Sequence, residues 1–175
     1  MSRNKKEKHK KHKKQRSGPG RAETADKHAL YESSVQNVEH ETEFVANLFK
    51  EIRGRAAHAI REDFCGTAHC ATAWVALDAK NTAIGVDLDA DVLAWGREHH
   101  LAKLTAEQQS RVTLLNENVL TAKTAPVDVV LAMNFSYWIF KQRAELVEYF
   151  SKVRAALKDD GVFFLDAFGG YEAYQ

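Results

Sequence analysis

Only two cysteines, Cys65 and Cys70, occur in 175 residues. They are too few and too close together for a secreted disulfide framework, so a reducing compartment is expected. No apolar run reaches the roughly 18 to 20 residues needed to span a bilayer, and no apolar core follows the charges at the N-terminus. The expectation is therefore a soluble, cytoplasmic protein with no membrane association, or a nuclear one if its basic N-terminus acts as an import signal. Hydrophobic residues at 45% and charged residues at 28% exclude wholesale disorder and collagen-like composition. What is present is an uneven distribution of charge. The formal net charge is +1, yet residues 1–16 hold nine Lys or Arg against Glu7, a net of +8 that leaves −7 for the rest.

That basic run is low in complexity and cannot bury enough apolar area to offset its ordering entropy. Residues 1 to about 25 read as a disordered tail, set off by Gly18-Pro19-Gly20, and residues 26–175 as one domain. Clustered cations displace counterions from phosphates, so residues 1–16 could contact RNA or another polyanion. An import signal and a merely solubilising tail are the alternatives.

From Val38 to Ile52 the apolar positions Val38, Val45, Leu48, Phe49 and Ile52 share one helical face, and Gly54 stands where a C′ glycine ends a helix. A short helix around Ala29 to Gln36 precedes it. Beyond this, short apolar runs alternate with helical patterns. Strands are expected at Ala57 to Ile60, Thr82 to Val86, Arg111 to Leu115, Val127 to Met133 and Val162 to Phe168. Helices are expected from about His69 to Ala79, Ala90 to His100 and Lys141 to Leu157, and Asp159-Asp160-Gly161 reads as the turn into the last strand. This rhythm predicts an α/β fold, a Rossmann-like, doubly wound, mainly parallel sheet of about five strands flanked by helices.

In such a sheet the ligand crevice lies outside the carboxyl ends of the strands, near the topological switch point. Polar residues gather at those exits: Glu62 and Asp63, Asp87 to Asp89, Asn116 to Asn118, and Asn134 to Tyr137. Gly66 and Ala68 allow close backbone approach to a ligand. Asp87, 21 residues after Gly66, is spaced to accept hydrogen bonds from vicinal ribose hydroxyls. Asp89 is the better helix cap. A dinucleotide loop needs three spaced glycines for its pyrophosphate. This loop has one, beside two carboxylates that repel phosphate and welcome a cation. S-adenosyl-L-methionine, which carries a sulfonium and an α-ammonium but no phosphate, fits; NAD, and with it an oxidoreductase, is the runner-up. A non-catalytic nucleic-acid-binding module using the Lys-rich tail is the non-enzyme alternative.

In order, Glu62-Asp63-Phe64-Cys65-Gly66-Thr67-Ala68, Gly85-Val86-Asp87-Leu88-Asp89, Asn118-Val119, Asp128 to Asn134 and Leu157 to Phe163 resemble the class I S-adenosylmethionine-dependent methyltransferases. The string is most similar to a little-characterised methyltransferase-domain family with a Glu-Asp-Phe-Cys-Gly-Thr-Ala first motif, and the resemblance covers about residues 57–170. The preceding helix, with Tyr31, matches that family too. The resemblance implies that the loop of Glu62, Asp63, Phe64, Cys65, Gly66 and Ala68 holds the methionine part of the cofactor, with Glu62 or Asp63 as its acidic contact. It further implies that Asp87 binds the ribose, Leu88 packs on the adenine, Asn118 and Val119 meet the adenine edge, and Asn134 lies by the methyl group as the candidate catalytic residue. Phe64 stands at the family's first glycine and Ala68 at its third.

Asn134-Phe135-Ser136-Tyr137 has the Asn-x-x-Tyr spacing of enzymes that methylate planar amines, without their two prolines; an amine acceptor and a generic pocket wall are both open. The methyl acceptor is unidentified. Cys65, His69 and Cys70 lack the spacing of a closed zinc site, so no metal is expected. Cys70, on a face with Trp74 and Leu77, reads as core, and His99-His100 as complementing a helix dipole. Class I enzymes usually add a helix and an antiparallel hairpin after the fifth strand. None follows here, so the last strand is expected at a sheet edge, covered by a further segment of a longer protein or by a partner.

Overall fold

A computed structural model describes residues 24–174. The basic run at residues 1–16 lies outside the described residues. Helices α1 (Lys27–Val35) and α2 (Val38–Arg53) lead into β1 (Ala59–Asp63), α3 (His69–Leu77), β2 (Thr82–Asp87), α4 (Ala90–His99), α5 (Ala106–Ser110), β3 (Val112–Asn116), β4 (Val127–Ala132), α6 (Arg143–Ala156) and β5 (Leu157–Leu165). The five strands form one all-parallel sheet in the order β3-β2-β1-β4-β5. The chain winds outward from β1 to β3, then resumes at β4 on the other side, so the switch point lies between β1 and β4.

Local chemistry accounts for the elements. Asp26 caps α1 by accepting from the amides of His28 and Ala29, and Asp89 caps α4 by accepting from Asp91 and Val92. Gly54 ends α2 in the left-handed region at φ 69°. Every residue of β4 is buried, because helices cover both faces of the sheet. On one face Val45 and Phe49 of α2 and Trp74 and Val75 of α3 pack against Ile60, Val129 and Leu131. On the other, Tyr149, Val153 and Ala156 of α6 meet Val86, Val127 and Val130.

The strand boundaries depart most from the sequence expectation at two charged segments. Strand β1 runs through Arg61-Glu62-Asp63, which composition assigns to a loop. The charges are tolerated inside because Arg61 Nε donates to Asp63 Oδ1 at 2.7 Å, Arg61 Nη2 donates to the Val119 carbonyl, and the Tyr149 hydroxyl donates to Asp63 Oδ2 at 3.0 Å. Strand β5 begins at Leu157 rather than Val162, with Asp159-Asp160-Gly161 inside it as an irregularity in the register with β4. Asp160 is held there by a forked pair of bonds from Arg55, whose Nη2 also reaches Asp128, while Lys158 Nζ lies 2.9 Å from Asp128. Leu77, expected in the core with Cys70 and Trp74, is 46% exposed, because α3 ends there. The last strand does lie at the end of the sheet, paired only with β4 among the described residues. No helix of the described residues is long and apolar enough to cross a membrane.

Candidate functional site

At the switch point the exits of β1 and β4 and the inner side of α1 enclose a cavity of about 230 Å³. Its wall includes Glu62 and Asp63 from β1, Phe64 to Thr67 from the following loop, Met133, Asn134 and Ser136 after β4, and His28 and Tyr31 from α1. Gln36 also lines it, and its side-chain oxygen is buried without a hydrogen-bond partner. Among the described residues no Lys or Arg belongs to the wall.

The loop after β1 is tightly wound. Phe64, Gly66 and Ala68 have φ of 58°, 53° and 56°, and Asn134 and Phe135 after β4 have 56° and 53°. These four non-glycine residues are the ones in the left-handed region among the described residues, and all sit in the two loops that flank the cavity. Each costs roughly 1 kcal/mol or more against an ordinary backbone. The surroundings hold them there. Phe64 holds its left-handed φ with its ring packed on Phe140 and Tyr149, at centroid distances of 6.2 and 5.7 Å. Ala68, wholly buried, is small enough to follow. The amides of Asn134 and Phe135 donate to the two carboxylate oxygens of Asp166, at 3.0 and 2.8 Å.

Helix α4 supports the loop from below. Gly96 lies so close that a Cβ there would collide with the Thr67 carbonyl oxygen. Asp87, at the end of β2, accepts from the Gly66 amide at 2.8 Å and from the Asp89 amide at 2.9 Å, so the expected ribose ligand also braces the loop.

Glu62 is the chemically unusual member. It is 6% exposed, and its Oε2 accepts from the Ala71 amide at the N-terminus of α3, at 3.0 Å. Burial pushes its pKa up to about 8, with neighbouring carboxylates adding and the amide opposing. Asp63 is also raised by burial, against the pull of Arg61. The Cys65 and Cys70 thiols are unpaired, buried and pushed up by desolvation, which makes them inert.

The structure thus gathers Tyr31, Glu62, Asp63, Phe64, Cys65, Gly66 and Asn134 around one cavity, with Ala68 and Asp87 as its frame. Leu88, Asn118 and Val119 are not part of the wall: Leu88 is 66% exposed, Asn118 caps the turn after β3, and Val119 is buried in the core. Sequence reasoning missed Gln36, His28 and Asp166. The strand-exit rule could have found Asp166 had the last strand been ended at Leu165 rather than carried on to Phe168. His100 is also not simply a dipole partner of α4: its Nε2 meets Glu32 at 2.7 Å.

A parallel sheet with a cavity at its switch point, floored by a strand-to-helix loop and a carboxylate one strand away, defines a Rossmann-like α/β domain. Over residues 65–163 the chain matches the methyltransferase-domain family, and it belongs to that family. No curated protein sequence matches it significantly. Among solved structures it is similar to CalS10 from Micromonospora echinaspora, an S-adenosylmethionine-bound amino pentose methyltransferase of calicheamicin biosynthesis, with 19% identity and TM-score 0.66 over 83% of this chain and 57% of that one. It is likewise similar to the sugar N-methyltransferase KedS8 from Streptoalloteichus sp, with 19% identity and TM-score 0.66 over 96% of this chain and 60% of the other. The glycopeptide N-methyltransferase MtfA in complex with S-adenosyl-L-methionine matches at 20% identity and TM-score 0.60, over 75% and 55% of the two chains. The chain spans a little over half the length of these structures.

Proposed function

We propose that the cavity binds S-adenosyl-L-methionine and that the domain transfers its methyl group to an acceptor yet to be identified. The observation that carries this reading is a cavity walled by the buried Glu62 carboxyl and by the unpartnered Gln36 oxygen, with no Lys or Arg facing in among the described residues. Such a wall offers acceptors to a cationic ligand, and its buried carboxyls together with a loop of one glycine rather than three disfavour the pyrophosphate of NAD. Family membership supports the same choice.

When bound, S-adenosyl-L-methionine supplies a methyl carbon on a sulfonium, open to in-line displacement. The chain's own residues bind and orient. Glu62 offers a carboxylate for the α-ammonium, and Asp87 has a free lone pair on each oxygen for ribose hydroxyls. The left-handed turns at Phe64, Gly66 and Ala68 bring backbone close without a side chain in the way. Asn134, fixed through its amide by Asp166, stands at the exit of β4, where an acceptor would be positioned. Positioning of this kind supplies much of the acceleration of a displacement reaction. The two unpaired cysteines fit a reducing compartment, and we place the chain in the cytoplasm.

Calorimetric titration with S-adenosylhomocysteine tests the reading. One site per chain is expected, with affinity falling at least tenfold in Asp87→Asn while the circular dichroism spectrum is kept. Absence of binding by the folded wild-type chain would overturn it.

A further inference from the structure

Beside the cavity but outside its wall, three metal-ligating side chains from three elements converge. Glu32 projects from α1, His69 opens α3 and His100 follows α4, and each brings one ligand atom within 4.8 Å of the others. Glu32 Oε1 is 2.7 Å from His100 Nε2, and Glu32 Oε2 is 3.9 Å from His69 Nδ1. The His69 Nδ1 atom is buried and has no hydrogen-bond partner. The two imidazoles stack in parallel, 4.1 Å apart at 8°. The Thr67 hydroxyl donates to Glu32, a second contact of the kind that orients ligating carboxylates.

We propose that Glu32, His69 and His100 form a binding site for a divalent transition-metal ion of the zinc type. Two imidazole nitrogens and one carboxylate oxygen are the donor set that favours zinc over magnesium or calcium, which prefer oxygen alone. Three protein ligands leave a fourth position for water. Parallel rings cannot both aim at one ion, so binding requires one of them to tip about its Cα–Cβ bond. His69, with its side chain one-third exposed, has the room to do so.

The site would act as a staple. Helix α1 buries none of its residues and is tied to the body through Asp26 with Trp95 and Glu32 with Thr67 and His100. An ion shared by α1, α3 and α4 would fix the helix that carries His28 and Tyr31 of the cavity wall. This consequence for the cavity rests on the proposed function; the metal site itself does not.

The test titrates the full chain with zinc chloride alone by calorimetry, and with Co²⁺ by visible absorption. One ion per chain is expected, with affinity at least tenfold weaker in His69→Gln and in His100→Gln, tetrahedral Co²⁺ bands lost in both, and the zinc-induced rise in thermal midpoint of the wild type absent from both. The double variant His9→Ala/His12→Ala, which removes the tail imidazoles, is expected to bind as the wild type does. Zinc binding that survives both His69→Gln and His100→Gln unchanged, or no binding by the wild type, overturns the site. If either variant fails to fold, the other and the wild-type Co²⁺ spectrum still decide. Zinc binding without S-adenosylhomocysteine binding would remove the proposed function and leave the metal site standing; the reverse would remove the metal site alone.

Discussion

Binding of a cationic ligand against Glu62 should expel a proton. With its pKa near 8, Glu62 is about nine-tenths protonated at pH 7. An ammonium placed against it favours the ionised form. If the ammonium holds the carboxyl ionised in the complex, close to 0.9 proton leaves per ligand at pH 7. The affinity for S-adenosylhomocysteine then tightens about ninefold from pH 6 to pH 7. The assay is calorimetry in buffers of differing ionisation enthalpy between pH 5.5 and 7.5, the slope of observed heat against buffer enthalpy giving the protons released. Glu62→Gln should abolish the slope and flatten the pH dependence. A wild-type slope of zero, or an equal slope in Glu62→Gln, would refute the reasoning. The same group makes the unliganded fold pH-sensitive. Its folded value lies above the ordinary 4.3, so its contribution to stability is fully present below pH 4 and is lost as pH rises through 8. The loss is up to about 5 kcal/mol, measurable by urea unfolding against Glu62→Gln.

Gly96→Ala forces a methyl against the Thr67 carbonyl; a loss of about 3 kcal/mol in urea unfolding is expected, together with weakened S-adenosylhomocysteine binding, and an unchanged midpoint would show that α4 does not bear on the loop. Ala68→Gly relieves a left-handed φ and should cost less than about 0.5 kcal/mol, whereas Ala71→Gly within α3 should cost about 1 kcal/mol or more; equal losses would contradict the strain described. Burial opposes ionisation of Asp128, but the Ala59 amide, Lys158, the His58 amide and Arg55 together hold its pKa well below the usual carboxylate range. Its contribution is present above about pH 4 and is lost as pH falls. Asp128→Asn should therefore cost about 2–3 kcal/mol at pH 7 and progressively less toward pH 2, and a gap independent of pH would exclude this role.

Much of the fold was legible because a parallel sheet writes itself in continuous apolar runs such as Val129 to Met133, and because Asp89 and Gly54 are local signals that act where they stand. The misplaced boundaries are places where tertiary partners override composition. Arg61-Glu62-Asp63 reads as a loop until Tyr149 and the carbonyls of Val119 and Ala122 supply bonds from more than 55 residues away. Asp159-Asp160-Gly161 reads as a turn until Arg55 anchors it. In the site, Glu62, Gly66 and Asp87 follow from one loop and one spacing. Gln36, Asp166 and the convergence of Glu32 with His69 and His100 depend on proximity across the chain, which no local pattern carries.

The placement of β1 in the middle of the sheet has a consequence for how the protein is made. Ile60 pairs with Ala83 on one side and with Val129 on the other. As the chain leaves the ribosome, β1 and β2 can join early, but the second flank of β1 stays open until residues beyond Val129 have emerged. The hydroxyl that completes the Asp63 pair, on Tyr149, arrives later still. A nascent domain of this topology carries an unfinished charged strand at its centre through much of synthesis. Its folding should be slow and governed by the arrival of β4 and α6 rather than by the helices formed first.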